Sequence, residues 1–351
     1  MIHQPCYLEK FEIYDIFYKN KNLYIICPGG EISKNNMKPC INIFFENNII
    51  PCICKGKVHV YQLNCEYNEY ITLTIEDEII DNIKVKLYPV LKDELILTTM
   101  VKNEDNYIVQ WINYHLMIGF TKIIIYDNKD SPDTRYHSIE TTSNLEKLLE
   151  KYIMNNEVIL INWKYPKWLY NCISGQFTQQ NHCLYAFREA KYMAFNDIDE
   201  YINLTNYPDM SLNVNKVLDK VINNTAGVRI WGKYFQSNGM NVQQYEFLKV
   251  TDYYVSRIGN PNNMALKDVL LFKDCNSPKY IVVPERTYNA GTHGFMGEGK
   301  YKGYDMKTLD LLYFNHYYFL NKKMKGRDGF ECITKDDSLV KFYDILTKLN
   351  I

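Results

Sequence analysis

The sequence predicts an α/β protein: a mostly parallel sheet with helices from about residue 93 to 351, preceded by a small all-β module over residues 1–92. Three observations carry this reading. Residues 1–92 hold short apolar segments of strand length, NLYIICP, CINIFFE, KVHVYQL and YITLTIED, separated by Asn, Gly and Lys clusters, which suggests a sandwich. After the connection KVKLYPVLKD the pattern changes to strand-like runs alternating with segments of helical period, the grammar of βαβ units and parallel sheets. Finally, 351 residues at 46% hydrophobic content can fill a sizeable core.

Each element follows in order. Residues 95–101 (LILTTMV) read as a buried strand, and Asn103, Glu104 and Asp105 as the cap and acidic first turn of a helix. That helix carries Ile108, Trp111, Ile112, His115 and Leu116 at i, i+3, i+4, i+7 and i+8, and Gly119 stops it. The next strand, 122–126, ends in Asp127 and Asn128. A helix over 145–152, a strand over 158–163, a helix over 176–190 and a strand over 192–196 continue the alternation. Open sheets of this kind place ligands outside the carboxyl ends of their strands, so residues 102–104, Asp127 and the acidic group after residue 196 should face one crevice.

Composition narrows the function classes. Lys+Arg of 40 against Asp+Glu of 41 gives a net charge of -1 without a basic stripe, which excludes nucleic acid as a general partner. The opening MIHQPCYLEKFEIYDIFYK has neither a basic n-region nor a continuous apolar core, and no apolar run approaches the roughly 20 residues of a membrane helix. A cytoplasmic protein with no transmembrane segment and with reduced thiols is therefore expected. Of ten cysteines, Cys52 and Cys54 form a lone C-x-C, less than a zinc site wants. The weight of Asn, Ile, Lys and 31 tyrosines points to an AT-rich genome, such as that of an intracellular parasite or a large virus.

The stretch FNDIDEYI concentrates acid where a strand ends. On an extended segment Asp197 and Asp199 project to the same side, where a divalent cation would relieve their repulsion. Mn2+ or Mg2+ held there with open positions can grip a diphosphate. Taken alone, the pattern reads more simply as an acidic loop capping a strand. An aspartyl-phosphate phosphatase would want Thr or Val where Tyr201 stands, and a two-metal nuclease would want more carboxylates and a basic surface.

Several ordered blocks sharpen this reading. TTMVKNEDNYIVQWINYHLMIGFTKIIIYDNKDSPD, QNHCLYAFREAKYMAFNDIDEYI, WGKYFQSNGM, VTDYYVSR, KYIVVPERTYNAGTHGF and FNHYYFLNKKMKGRDG together resemble the family 92 glycosyltransferases, over about residues 95–330. More broadly they resemble transferases of the GT-A fold, a Rossmann-like, mostly parallel architecture. Departures are Tyr192 where the family usually has Trp, Phe235 and Gln236 for F-G, Asp252 for Glu, and the lack of a visible membrane anchor. The resemblance implies metal-dependent, inverting transfer of a hexose, galactose favoured, from a UDP-sugar to a glycan or glycoprotein acceptor. The alternative is a glycan- or nucleotide-sugar-binding protein that kept the fold and lost turnover.

The resemblance also implies roles. Asp199 is the expected direct metal ligand, Asp197 binds metal, ribose or a sugar hydroxyl, and His293 is the third ligand. His316, Lys325 and Arg327 are expected at the diphosphate, and Thr98, Met100, Lys102, Asn103, Glu104 and Asp127 near uracil and ribose. One-step inversion needs a base on the acceptor side. Asp252, on an expected helix, is the first choice, with Glu246 and Glu285 behind it. Trp231, Tyr234 and Phe235 form an expected aromatic platform for the acceptor, and Glu200 a loop support or sugar contact, not a third metal ligand.

Overall fold

A computed structural model describes residues 1–33, 36–132, 144–167, 169, 173–205, 213–235, 252–254, 278–301, 312–317, 332–335 and 337–348. Among these residues the centre is an eleven-stranded sheet. Its main path runs Ile2–His3, Val158–Asn162, Lys122–Asp127, Leu95–Val101, Tyr192–Phe195, Lys279–Val282, Gly227–Phe235, Asp252–Tyr254 and Cys332–Lys335. Tyr313–His316 branches from Gly227–Phe235 and pairs with Glu200–Asn203.

The first five strands on the path are parallel. Thr98 stands between Ile124 and Phe195, Val101 opposite Asp127, and Asp127 opposite Asn162, so the carboxyl ends reach one edge together. The expected mostly parallel sheet is thus only half of what forms. Parallel pairing needs a crossover that carries the chain back, and helical segments supply it between the strands from Leu95 to Phe195. Lys279–Val282 enters in the opposite sense and pairs antiparallel with both Tyr192–Phe195 and Gly227–Phe235. Its amino end therefore lies beside the carboxyl end of Tyr192–Phe195, where Phe195 faces Tyr280.

The helices form close to where their signals stand. Asp105–Met117 starts after Glu104 at the N-cap, with Asn103 in the left-handed region at φ 61°, and Gly119 at φ 106° ends it. The segment expected as one helix over 145–152 is two, Leu145–Leu148 and Glu150–Met154, and the Asn144 side chain accepts from the Lys147 N–H at 3.1 Å. The helix expected over 176–190 is Ser174–Ala186. A last helix, Val340–Lys348, packs against Asp105–Met117 through Phe342 and Tyr114.

Strand alternation sorts the core onto two faces. On one, Leu97, Ile123, Ile125 and Ala194 meet Ile108, Trp111 and Ile112. On the other, Ile96, Ile124, Ile159 and Met193 meet Cys183, Leu184 and Phe187, and also Phe17, Tyr24, Ile26 and Val60. The last four come from the N-terminal strands. Those strands form a five-stranded sheet around Asp15–Lys19, Asn22–Pro28 and Val58–Asn64, and a four-stranded one around Tyr70–Ile75 and Glu78–Lys84. They enclose a cluster of their own, including Ile16, Ile25, Leu73 and Ile75. The N-terminal segment is nonetheless welded to the rest, because it shares the second core and lends Ile2–His3 to the edge of the parallel sheet.

A buried carboxylate secures that weld. Asp15, fully buried, accepts from the Cys6 N–H at 2.6 Å, the Ile16 N–H at 2.9 Å and the Tyr88 hydroxyl at 2.6 Å. Its Oδ2 also stands 2.9 Å from Nε2 of His182 on the Ser174–Ala186 helix, whose Nδ1 is 2.7 Å from the Tyr126 hydroxyl. Among the described residues no helix is long and apolar enough to cross a membrane.

Asp15→Ala should destabilise the protein by about 3 kcal/mol or more in urea unfolding, because several buried donors lose their acceptor at once. Acid should act through buried imidazoles. Burial pulls His115 down to about 3, and burial with Lys38 and Lys55 pulls His59 to about 4. An unfolded histidine titrates near 6.5. Stability from holding these rings neutral is thus complete above that pH and is lost as pH falls toward 4, at about 1.4 kcal/mol per pH unit for each ring. Denaturant titrations at pH 7, 6 and 5 should show the parent losing more stability toward pH 5 than His59→Gln does, because the variant lacks one such ring; equal slopes would contradict it.

Candidate active site

At the end of Tyr192–Phe195 the Asn196 N–H reaches the Thr98 carbonyl at 3.3 Å. The chain then turns, with the Glu200 N–H donating to the Asp197 carbonyl at 3.1 Å, and re-enters a strand at Glu200–Asn203. Asp197 and Asp199 therefore stand at the first and third positions of a tight turn and not on an extended segment.

Glu200–Asn203 is a buried strand with a β partner on one edge, where Glu200 stands opposite His316 and Ile202 opposite Phe314. On its other edge the backbone is met by side chains of the Asp105–Met117 helix. Trp111 Nε1 donates to the Glu200 carbonyl at 2.9 Å, and the Tyr114 hydroxyl to the Ile202 carbonyl at 2.7 Å. The Ile202 N–H donates to His115 Nε2 at 3.3 Å. His115 Nδ1 lies 2.8 Å from the Trp111 carbonyl, which assigns the proton to Nδ1 and leaves Nε2 to accept.

The acids divide around one lysine. Lys279, 2% exposed, places its Nζ 2.7 Å from Asp197 Oδ2 and 3.1 Å from Glu200 Oε2. Glu200 Oε2 also accepts the Asp197 N–H at 2.9 Å, and Gln176 at the start of the Ser174–Ala186 helix donates to Asp197 Oδ1 at 3.4 Å. His316 Nε2 is 3.4 Å from Asp199 Oδ2, and its Nδ1 is 3.8 Å from Glu200 Oε1. Among the described residues Asp199, Glu200 and His316 bring one ligand atom each within 4.8 Å of one another. Two carboxylates and an imidazole form an oxygen and nitrogen donor set that suits Mn2+ or Mg2+.

The charges follow from burial and neighbours. Burial works to raise the Asp197 pKa, but Lys279, with Lys167 and His316, holds it well below the usual carboxylate range. Burial pushes Glu200 up to about 7, aided by Asp197 and Asp199 and opposed by Lys279 and His316. Burial favours neutral Lys279 and His316, yet the surrounding carboxylates raise both above their ordinary values.

The remaining expected site residues scatter more widely. Thr98 is buried, with its hydroxyl accepting from Gln179 at 3.3 Å, and Met100 is half-buried on the same strand. Lys102 donates to the Ser131 carbonyl at 2.8 Å, and Asn103 and Glu104 form the helix entry. Asp127, nearly fully buried, accepts the Lys129 N–H at 3.0 Å and pairs with its ammonium at 3.3 Å; burial raises its pKa against that pairing. All of these stand at the same sheet edge as the acids.

His293 occupies the turn between Thr287–Gly291 and Gly294–Gly297, with Nδ1 3.3 Å from the Pro278 carbonyl and within electrostatic reach of Lys279 and Asp197. It is not part of the Asp199, Glu200 and His316 group.

Other expectations require correction. Glu200, 1% exposed, supports the turn as expected by accepting the Asp197 N–H, but it also stands with Asp199 and His316 as a candidate ligand, where only a support or sugar contact was expected. Phe235 is 1% exposed with its ring 5.0 Å from that of Tyr317, so it packs in the core; Trp231 and Tyr234 are placed by backbone only, beside Tyr313 and His316. Asp252 opens a strand, not a helix, paired with Gly227–Phe235 and Cys332–Lys335. Glu285 follows Val282, and because Lys279–Val282 runs against Tyr192–Phe195 it leaves at the edge opposite the acids. Glu246, Lys325 and Arg327 lie outside the described residues.

Lys279 and Gln176 are the residues that sequence reasoning passed over. The available signal was a lysine opening the otherwise apolar strand KYIVV, which reads more simply as a solvated strand end.

Comparison with known proteins bears on the same residues. Residues 97–344 match the family model described as Glycosyltransferase family 92. A family 92 protein of Ricinus communis is 29% identical over 114 residues, 32% of this chain and 17% of that protein. One of Arabidopsis thaliana is 27% identical over 135 residues, 38% of this chain and 20% of that protein. This chain therefore aligns with much less than two thirds of either relative's length. A solved structure titled as a WbbM bifunctional glycosyltransferase in its apo form aligns with TM-score 0.28 and 12% identity, over 50% of this chain and 27% of that one, too slight a likeness to argue from.

The entry of the Ser174–Ala186 helix is tightly seated, since a Cβ at Gly175 would lie 1.7 Å from the Pro166 carbonyl oxygen. Gly175→Ala should cost about 1–3 kcal/mol in thermal or chemical unfolding, because backbone must move to admit the methyl group.

Proposed function

The chain belongs to glycosyltransferase family 92, and on that premise we propose that it transfers a hexose, galactose by preference, from a UDP-sugar to a glycan or glycoprotein acceptor, with inversion, on a GT-A fold. The observation that carries the proposal is the convergence of Asp199, Glu200 and His316 at the carboxyl edge of parallel strands, inside the matched residues. Open α/β sheets bind their ligands at that edge.

The chemistry suits what stands there. Breaking the bond between sugar and nucleotide leaves an anionic diphosphate and a carbon with oxocarbenium character. Asp199, Glu200 and His316 would hold a divalent cation, which when bound supplies Lewis-acid stabilisation to charge on the departing diphosphate. Lys167, close enough to influence Asp197, adds positive potential on the same side. Lys102, Asn103, Glu104 and Asp127, at the ends of these strands, would meet the nucleoside, with backbone and carboxylate oxygens to accept from its hydroxyls. Asp252 is the base we assign to the acceptor hydroxyl, because its strand adjoins Gly227–Phe235, whose Tyr234 stands beside His316.

Purified protein with Mn2+ and a panel of UDP-sugars tests the proposal. The preferred donor should raise the melting temperature, and UDP release should depend on added metal. Asp199→Ala should lower turnover by about a hundredfold or more, the scale of removing one electrostatic stabiliser from a transition state. If no UDP-sugar stabilises the protein and none is cleaved or transferred, the proposal fails.

A further inference from the structure

The acidic turn is not uniformly open to a cation, and the asymmetry comes from Lys279. Both oxygens of Asp197 are engaged, Oδ2 by the Lys279 ammonium at 2.7 Å and Oδ1 by Gln176 at 3.4 Å. Among the described residues Glu200 has a different partner on each oxygen: Oε2 takes Lys279 at 3.1 Å and the Asp197 N–H at 2.9 Å, whereas Oε1 looks toward His316 at 3.8 Å. Asp199 stands on the His316 side, 3.4 Å from its Nε2. We propose that Lys279 is a positioning residue that withholds Asp197 from the cation and aims Oε1 of Glu200 at it, so that the ion is held by Asp199, Glu200 and His316. This inference rests on the glycosyltransferase reading for the presence of a cation.

The physical grounds are the cost of leaving a buried charge alone and the repulsion between like charges. Lys279 is 2% exposed, so its ammonium needs its carboxylate partners. Turning Asp197 toward a metal would strip one of them away. An ammonium held at this point also repels a divalent cation, which keeps the ion on the far side of Glu200. The first aspartate of the turn then remains ionised and 39% exposed, facing the crevice without ligating. A purely structural lysine would hold the strands together without dictating which acid meets the metal.

Mn2+ binding to the 351-residue chain without nucleotide, followed by calorimetry and by the electron paramagnetic resonance of the free ion, separates these roles. Asp197→Asn should leave the Mn2+ dissociation constant within about threefold of the parent, whereas Asp199→Asn should weaken it tenfold or more. Lys279→Met should tighten Mn2+ binding about tenfold, since a repelling charge is gone and Asp197 is released to ligate. Adding Asp197→Asn to Lys279→Met should reverse most of that gain.

Equal losses of affinity in Asp197→Asn and Asp199→Asn would overturn the proposal, as would an unchanged constant in folded Lys279→Met. Should Lys279→Met not fold, the two aspartate variants decide the matter alone. Failure of the glycosyltransferase reading looks different. It would appear as absent binding and turnover of UDP-sugars by the parent protein, whichever aspartate the metal prefers.

Discussion

The strand Glu200–Asn203 is the constraint on which the site depends. It is buried, yet among the described residues a β partner covers only one of its edges. Backbone groups buried without partners are costly, so the other edge must be satisfied from elsewhere. Trp111, Tyr114 and His115 do this, each reaching from one helix to the backbone of Glu200 or Ile202. Their spacing puts them on one face of that helix, and the alternation of the strand turns Glu200 and Ile202 to the same edge. Side chains that look like core filler thereby fix the position of the acid turn in front of them. His115 can serve only while neutral, because its Nε2 must accept, and its full burial keeps it so.

Charge is arranged with equal economy. One ammonium, one imidazole and three carboxylates occupy a small region at the sheet edge. Buried ions of one sign repel strongly at low dielectric, so each acid is placed against a cation. The pairing is uneven: Asp197 meets Lys279 and Gln176, Asp199 stands beside His316, and Glu200 lies between with one oxygen on each side. That unevenness differentiates three acids that are nearly adjacent in the chain. The N-terminal strands show the same logic far from the site, where Asp15 gathers donors from its own segment and the His182 imidazole from the helix beneath it.

Much of the architecture is legible in the sequence. The alternation from residue 95 to residue 196 marks four strands and their crossover helices, because apolar periodicity is a local property that burial enforces. The acid cluster at a strand end was equally plain, and its place at the carboxyl edge follows from the parallel order of the strands before it. Legibility stops where the sheet becomes antiparallel. Asp252 reads as helical in its own neighbourhood and is a strand because Gly227–Phe235 and Cys332–Lys335 claim its edges. Glu285 reads as close to the site, and strand direction carries it to the opposite end.

The sequence by itself determined that this is an α/β chain with an acidic turn behind a buried strand, and its ordered motifs were enough to indicate the family. Tertiary structure alone decided what each acid does. Lys279 is separated from Asp197 by 82 residues, and His316 reaches Asp199 and Glu200 only because Tyr313–His316 pairs with the strand that follows the turn. No local pattern encodes such partners, since pairing between distant strands is selected by the burial of whole faces and not by the residues that end up in contact. The turn between Asp197 and Asp199 was hidden for a related reason: two acids flanking an apolar residue look alike whether the backbone extends or bends. Once it bends, one carboxylate is given to a lysine and the other to an imidazole.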